Sequence, residues 1–172
     1  LGEAAAAVYL STTAVEGESF EIIGEASIAD ANHISGPSRT GEGLFLSIQQ
    51  ALNEAQVTAD QIDCICAHGT ATAYNDEMEA IAFDRLGLSH KPIHSQKGYF
   101  GHTLGAAGLL EVVMLMQSMR HNELIVSKGF EQLGVSRTVN ITTEKESQPL
   151  QIALKTASGF GGSNTALILS KK

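Results

Sequence analysis

Two histidines in this chain stand where local backbone geometry can make an imidazole a donor to developing negative charge. His102 lies in Ser95-Gln96-Lys97-Gly98-Tyr99-Phe100-Gly101-His102-Thr103-Leu104-Gly105-Ala106-Ala107-Gly108, a polar strand end that turns through glycines into the longest apolar helical stretch. A histidine one or two positions inside a helix start meets unpaired backbone N–H groups and the positive dipole end, which favour neutral imidazole and stabilise anionic charge beside it. The small residues that follow keep the first turn thin, so an extended ligand can approach closely. Taken alone, the stretch fits equally a tightly packing helix with His102 as its cap. His68 follows the apolar run Ile62–Ala67, which places His68-Gly69-Thr70-Ala71-Thr72 at the carboxyl end of a buried strand, where open α/β sheets collect ligands. Glu111 interrupts the apolar run Leu109–Met119. A buried carboxylate there needs a cation, and Lys97 is the candidate.

These residues must be positioned by strands and helices in alternation. Ala4–Ser11 and Phe20–Ser27 read as neighbouring strands joined by the polar link Glu16-Gly17-Glu18. Asp30–Ser38 is a loop rich in turn residues. Leu44, Ile48, Ala51, Leu52 and Ala55 recur at helical spacing after Thr40-Gly41. Thr58-Ala59-Asp60-Gln61 fits a capping box for one helical turn leading into Ile62–Ala67. In that strand Cys64 and Cys66 share one face, and Ile65 and Ala67 share the other. Asp76, with Glu79, opens a helix that closes at Leu86-Gly87, and Pro92–Ser95 is the next strand. Leu109–Met119 reads as a helix buried on most faces. Gln151–Ala157 and Thr165–Ser170 read as two strands around the glycine hairpin Ser158–Asn164, which would offer backbone N–H groups to a ligand. The pattern predicts an α/β layer without repeats or an internal domain boundary, so residues 1–172 form one domain.

Composition narrows the function classes. The chain has 172 residues, enough for one sizeable core, and a net charge of −8, which argues against a general nucleic-acid or anionic-membrane surface. No stretch is long and apolar enough for a membrane-spanning helix, and Leu1-Gly2-Glu3-Ala4 is not a signal peptide. Two cysteines make no disulfide framework, so a reducing cytoplasm is expected. Cys64, Cys66 and His68 fall short of the ligand count and spacing of zinc sites, and core thiols are the simpler reading. His33, His90, His94 and His121 read as surface histidines. The Gly159–Gly162 hairpin lacks a nucleotide-binding pattern.

The motifs together resemble a known family. His68-Gly69-Thr70-Ala71-Thr72 with Asp76, then Lys97-x-x-x-Gly101-His102-x-x-Gly105-Ala106-Ala107-Gly108 with Glu111, then Gly159-Phe160-Gly161-Gly162-Ser163-Asn164, resemble in order the three motifs of β-ketoacyl-acyl carrier protein synthases. These condensing enzymes of fatty acid and polyketide synthesis have the thiolase-like fold. The resemblance covers the carboxyl half of such an enzyme. It implies a half of that fold, with about five strands in one mixed sheet and helices on both faces.

The resemblance also implies roles. His68 and His102 would be the histidines of a Cys-His-His site, with Lys97 and Glu111 the charge pair that holds it. Thr70, Thr72 and Ser35 would lie along a phosphopantetheine arm, and Ser158, Gly159 and Phe160 would border the acyl thioester and part of its oxyanion hole. Acyl carrier protein would deliver the substrate, with no metal or separate cofactor. The nucleophilic Cys would belong to an amino-terminal half before Leu1, so this chain alone would be inactive. A homodimer is implied for the enzyme, and for the chain alone self-association through the uncovered 109–119 helix. Two residues depart from the family pattern. Ser158 replaces an aromatic gate, and Gly98 replaces the usual Ser after the Lys, which would loosen that turn. The other reading is a non-catalytic partner subunit resembling a chain-length factor.

Overall fold

The structure is a computed structural model and describes residues 1–13, 17 and 19–172. Glu16 and Glu18 of the expected link lie outside the described residues. A single five-stranded mixed sheet carries the fold, with β1 (Phe20–Ala29), β2 (Cys64–Cys66), β3 (Ile93–His94), β4 (Ile152–Gly159) and β5 (Ser163–Lys171) in the order β1-β5-β4-β2-β3. Strand β2 runs parallel to both neighbours, β3 and β4, whereas β5 is antiparallel to β4 and to β1. Consequently β1, β2, β3 and β4 all end on the same edge of the sheet. The loops after them are Asp30–Ser38, His68–Thr72, Ser95–His102 and the hairpin 160–162.

Helices cover both faces, as the pattern of apolar residues requires. The helix α1 (Glu42–Ala55) turns Leu44, Ile48, Ala51 and Leu52 inward, and α2 (Ala73–Arg85) contributes Met78, Ala82 and Phe83. They pack on Ile65, Leu154, Ala166 and Ile168. On the opposite face α4 (Ala107–His121) seats Leu115 and Met119 over Cys64, Cys66, Ala153 and Leu169. The cysteines therefore divide from Ile65 and Ala67 across the sheet as strand alternation demands. In the short turn Ala59–Gln61 the Thr58 backbone N–H donates to Gln61 Oε1 at 2.9 Å, the reciprocal arm of a capping box. The β4–β5 turn runs through Gly161 (φ 85°) and Gly162 (φ 79°), left-handed positions that disfavour a side chain.

Four expectations are corrected. Residues 4–11 form no strand, because among the described residues no neighbouring strand supplies their ladder, and Tyr9 and Leu10 are exposed. Helix α4 is buried along one stripe, Ala107, Glu111, Leu115, Ser118 and Met119, and not on most faces, since no described element lies over its outer side. Helix α2 begins at Ala73, three residues ahead of Asp76, with Thr72 in the extended conformation that precedes a helix. His94 is fully buried on β3 and is no surface histidine, whereas His33, His90 and His121 are exposed.

Candidate active site

Parallel strands bring the two histidines together. His68 leaves the end of β2, and the neighbouring β3 leads into the single turn α3 (Lys97–Phe100), after which the chain doubles back through Gly101 and His102 to the 3-10 turn Leu104–Ala106. His102 thus stands in the connection ahead of α4, five residues before its first residue, and not inside the helix start. The imidazoles lie edge to face with ring centroids 5.3 Å apart. His102 Nδ1 accepts the Leu104 backbone N–H at 3.2 Å. His68 Nδ1 faces the Lys97 ammonium at 3.3 Å. With both Nδ1 atoms occupied by donors, each neutral ring carries its proton on Nε2 and can donate it.

Electrostatics keep the rings neutral. Burial, then the charges of Lys97 and Lys155 and the neighbouring His102, hold His68 down to about 3. Burial and Lys97 also lower His102. A neutral imidazole pair is an electrophilic donor set, as an oxyanion requires.

The support beneath the pair is ionic and almost dry. Lys97 Nζ is 2.6 Å from Glu111 Oε1, with the two side chains 8% and 4% exposed, and it also donates to the His68 carbonyl. The pairing expected for Glu111 is present. The second oxygen of Glu111 meets Lys155 Nζ at 2.9 Å. Below His68, Glu79 accepts the backbone N–H groups of His68 (2.8 Å) and Gly69 (2.7 Å), Asn75 Nδ2 (2.9 Å) and Thr156 Oγ1 (3.2 Å). Burial pushes the Glu79 carboxyl up, yet its oxygens face only donors, the surroundings of an ionised carboxylate.

Sequence reasoning placed neither Glu79 nor Lys155 at the site. A signal existed in each case. Glu79 is an acidic residue on a helix face otherwise carrying Met78, Ala82 and Phe83, and Lys155 is a cation inside the apolar strand run Ile152-Ala153-Leu154. Each is a buried charge that calls for a partner.

The remaining candidates gather on the same sheet edge in two groups. Thr70 and Thr72 share a hydroxyl hydrogen bond of 2.8 Å, and Thr70 lines a cavity of about 770 Å³ together with Lys97, His102, Phe130 and Leu133. Ser35 sits in an exposed loop tied to the hairpin, Gly161 N–H donating to the Ile34 carbonyl at 2.7 Å and Asp30 N–H to Gly162 at 2.9 Å. Ser158 Oγ donates to Asn164 Oδ1 at 2.8 Å, Gly159 ends β4, and Phe160 projects from the hairpin tip, 85% exposed. None of this second group lines that cavity. Cys64 and Cys66 are free and fully buried, burial raising both thiols, Cys66 to about 11. Among the described residues no cluster of His, Cys, Asp and Glu has metal-binding geometry.

Gly98 has a packing reason. A Cβ there would lie 2.1 Å from the Lys128 carbonyl oxygen, so its glycine lets α3 press against the following loop. The turn is held and not loosened.

Residues 19–131 match the C-terminal domain of β-ketoacyl synthases. The chain belongs to this family. It is similar to 3-oxoacyl-[acyl-carrier-protein] synthase 2 of Rhizobium meliloti, 36% identical over 155 residues that make up 88% of this chain and 37% of that protein. The chloroplastic 3-oxoacyl-[acyl-carrier-protein] synthase II of Arabidopsis thaliana is 32% identical over 87% of this chain and 28% of its own length. A β-ketoacyl synthase from Burkholderia phymatum superposes with a TM-score of 0.83 at 30% identity, over 89% of this chain and 38% of that one. A ketosynthase solved in complex with its chain length factor, from Xenorhabdus doucetiae, gives 0.81 at 32% identity, over 88% and 39%. The chain therefore spans well under half the length of the β-ketoacyl synthases it matches, and its fold is the thiolase-like α/β fold of that family over one part.

Proposed function

We propose that the protein to which residues 1–172 contribute this domain condenses an acyl thioester with malonyl-acyl carrier protein by decarboxylative Claisen condensation, in fatty acid or polyketide synthesis. The observation that carries the reading is the pair of neutral imidazoles, 5.3 Å apart, each with Nδ1 engaged by a donor and Nε2–H free to donate. Loss of carbon dioxide from a malonyl thioester leaves negative charge on the thioester oxygen. Two preorganised N–H donors from His68 and His102 stabilise that enolate, whose carbon then attacks an acyl group held elsewhere in the protein.

In this reading Lys97 and Glu111 position His68. Thr70, which lines the cavity, Thr72 and Ser35 lie along the phosphopantetheine arm of acyl carrier protein, and Ser158, Gly159 and Phe160 border the acyl thioester and part of its oxyanion hole. The complete protein works with the amino-terminal half that carries the nucleophile, as a homodimer in a reducing compartment such as the cytoplasm, and this chain alone does not condense. The substrate arrives on its carrier, and the residues given roles are imidazole, hydroxyl and backbone donors. A type II polyketide ketosynthase solved with its acyl carrier protein is among the structural relatives and supports the carrier as partner. Ketosynthases paired with chain length factors support the second reading, a non-catalytic partner subunit.

Decarboxylation of malonyl-acyl carrier protein by the full-length protein tests both. His68→Ala and His102→Ala are each expected to lower the rate by about two or more orders of magnitude, as loss of an oxyanion donor does. An inactive parent protein would favour the partner-subunit reading, and full activity in both variants would remove the histidines from the mechanism.

A further inference from the structure

Beside the motif pair Lys97 and Glu111, the site buries two further charges that lie outside the three motifs, Glu79 and Lys155. Glu111 divides its two oxygens between two ammonium groups, Oε1 to Lys97 on α3 at 2.6 Å and Oε2 to Lys155 on β4 at 2.9 Å. All three side chains are at most 8% exposed. Lys155 Nζ also donates to the Thr156 carbonyl. Lys155, Cys66 and His94 are register neighbours across β4, β2 and β3, so Lys155 rises from the sheet directly beneath α4 and meets Glu111 from the side opposite Lys97. Thr156, the next residue, faces the other way and donates to Glu79. With Lys97 and Lys155 ammonium and Glu79 and Glu111 carboxylate, the set is neutral, and each member has an opposite charge or a set of donors. Without Lys155, Glu111 would keep one oxygen buried and unpaired, a costly arrangement that favours rotation of the carboxylate.

We propose that Lys155 is a positioning residue for the histidine pair, the second of two ammonium groups that clamp Glu111 and so fix Lys97 against His68. Lys97 is the only one of the two that touches His68, through Nδ1 and the carbonyl. Its direction is set by Glu111, and the direction of Glu111 is set from both ends. Burial opposes the charge of Lys155, but the negative groups around it, Glu111 and Glu79 and, where its thiol ionises, Cys66, raise its pKa. The clamp also supplies a second positive charge near the His68 ring. The groups acting on that ring or its backbone are Glu79 from α2, Lys97 from α3, Lys155 from β4, and His102, with Glu111 from α4 behind the two ammonium groups.

The test uses the full-length protein with isotope-labelled histidine and lysine. In the wild type the His68 resonance is expected to stay that of a neutral ring between about pH 8 and 5. Lys155→Met fills the same volume without charge and should raise the His68 midpoint by about one unit or more, whereas Lys155→Arg should restore it. That readout does not depend on turnover; repeated in Glu111→Gln, where a clamp through Glu111 gives a much smaller shift and the Lys155 charge acting alone gives the same one, it decides the clamp even if the condensing reading fails. Where decarboxylation is present, Lys155→Met should lower kcat by about tenfold with KM unchanged. Added to Glu111→Gln, it should cost much less than it does alone. A midpoint unmoved by Lys155→Met, or rate losses that multiply independently of Glu111, overturns the proposal. Should the Met variant not fold, the wild-type Lys155 nitrogen resonance decides: an ammonium at neutral pH upholds the clamp, and a neutral amine overturns it.

Discussion

His94 and His68 are both buried imidazoles, but only one has a partner that explains it. Among the described residues neither ring nitrogen of His94 has a hydrogen-bond partner, and burial together with the charge of Lys155 holds it down to about 3. An unfolded histidine titrates near about 6.5. Between those values the unfolded chain binds more protons than the folded one, so stability rises with pH through that window, is complete above it, and is lost on acidification toward the folded value. Each such group contributes up to about 1.4 kcal/mol per pH unit there. Burial raises Glu79, which works in the opposite sense, so the histidine effect is read as a difference. The melting temperature of the wild type is expected to fall between about pH 7 and 4, and that of His94→Asn to fall less steeply. Parallel curves for the two would show that His94 is not held neutral by the fold. Residue by residue, the visible parts were polar groups set in apolar or glycine-rich surroundings, as His68, His102 and Glu111 are. His94 was not visible, because its neighbours Ser95 and Gln96 are polar in sequence while its burial comes from tertiary packing.

At the level of elements, the site depends on one short turn. Helix α3 has four residues, too few to be stable on its own, and what holds it is Lys97 on Glu111 on one side and the close approach of Gly98 to the Lys128 carbonyl on the other. Replacing Gly98 by alanine forces the turn and the 127–129 segment apart and is expected to cost about 1–3 kcal/mol, with a lowered decarboxylation rate because Lys97 moves with the turn. Urea denaturation and the same rate assay check this, and a variant of unchanged stability and rate would mean the loop yields freely. The long amphipathic element α1 and the strands β1, β4 and β5 were legible from periodicity. The turn α3 was not, since four residues give no period. The expected strand 4–11 failed for another reason: its sequence has strand character, but a strand exists only with a neighbour to complete its hydrogen bonds.

For the whole molecule, the sheet order explains why distant motifs converge: four strands end on one edge, and each contributes a loop to it. Apolar side chains remain uncovered at the head of α4 and in residues 8–10. Leu104 is 63% exposed, Tyr9 87% and Leu10 72%, and Leu109 on α4 adds to them, while the stripe through Leu115 and Met119 faces inward. Where such side chains adjoin, a contiguous apolar patch marks a surface made for contact. The chain of residues 1–172, studied alone, is therefore expected to self-associate at micromolar concentration, most simply as a closed two-fold pair in which the outer side of α4 and residues 8–10 are covered. Sedimentation and binding of an apolar dye measure this together. Association that disappears in a Leu104→Ser, Leu109→Ser variant would place the contact at the head of α4. Association unaffected by that variant would move it to residues 8–10, and a clean monomer that binds no dye would show that these side chains are covered from within the chain, contrary to the exposure of Leu104 and Leu109.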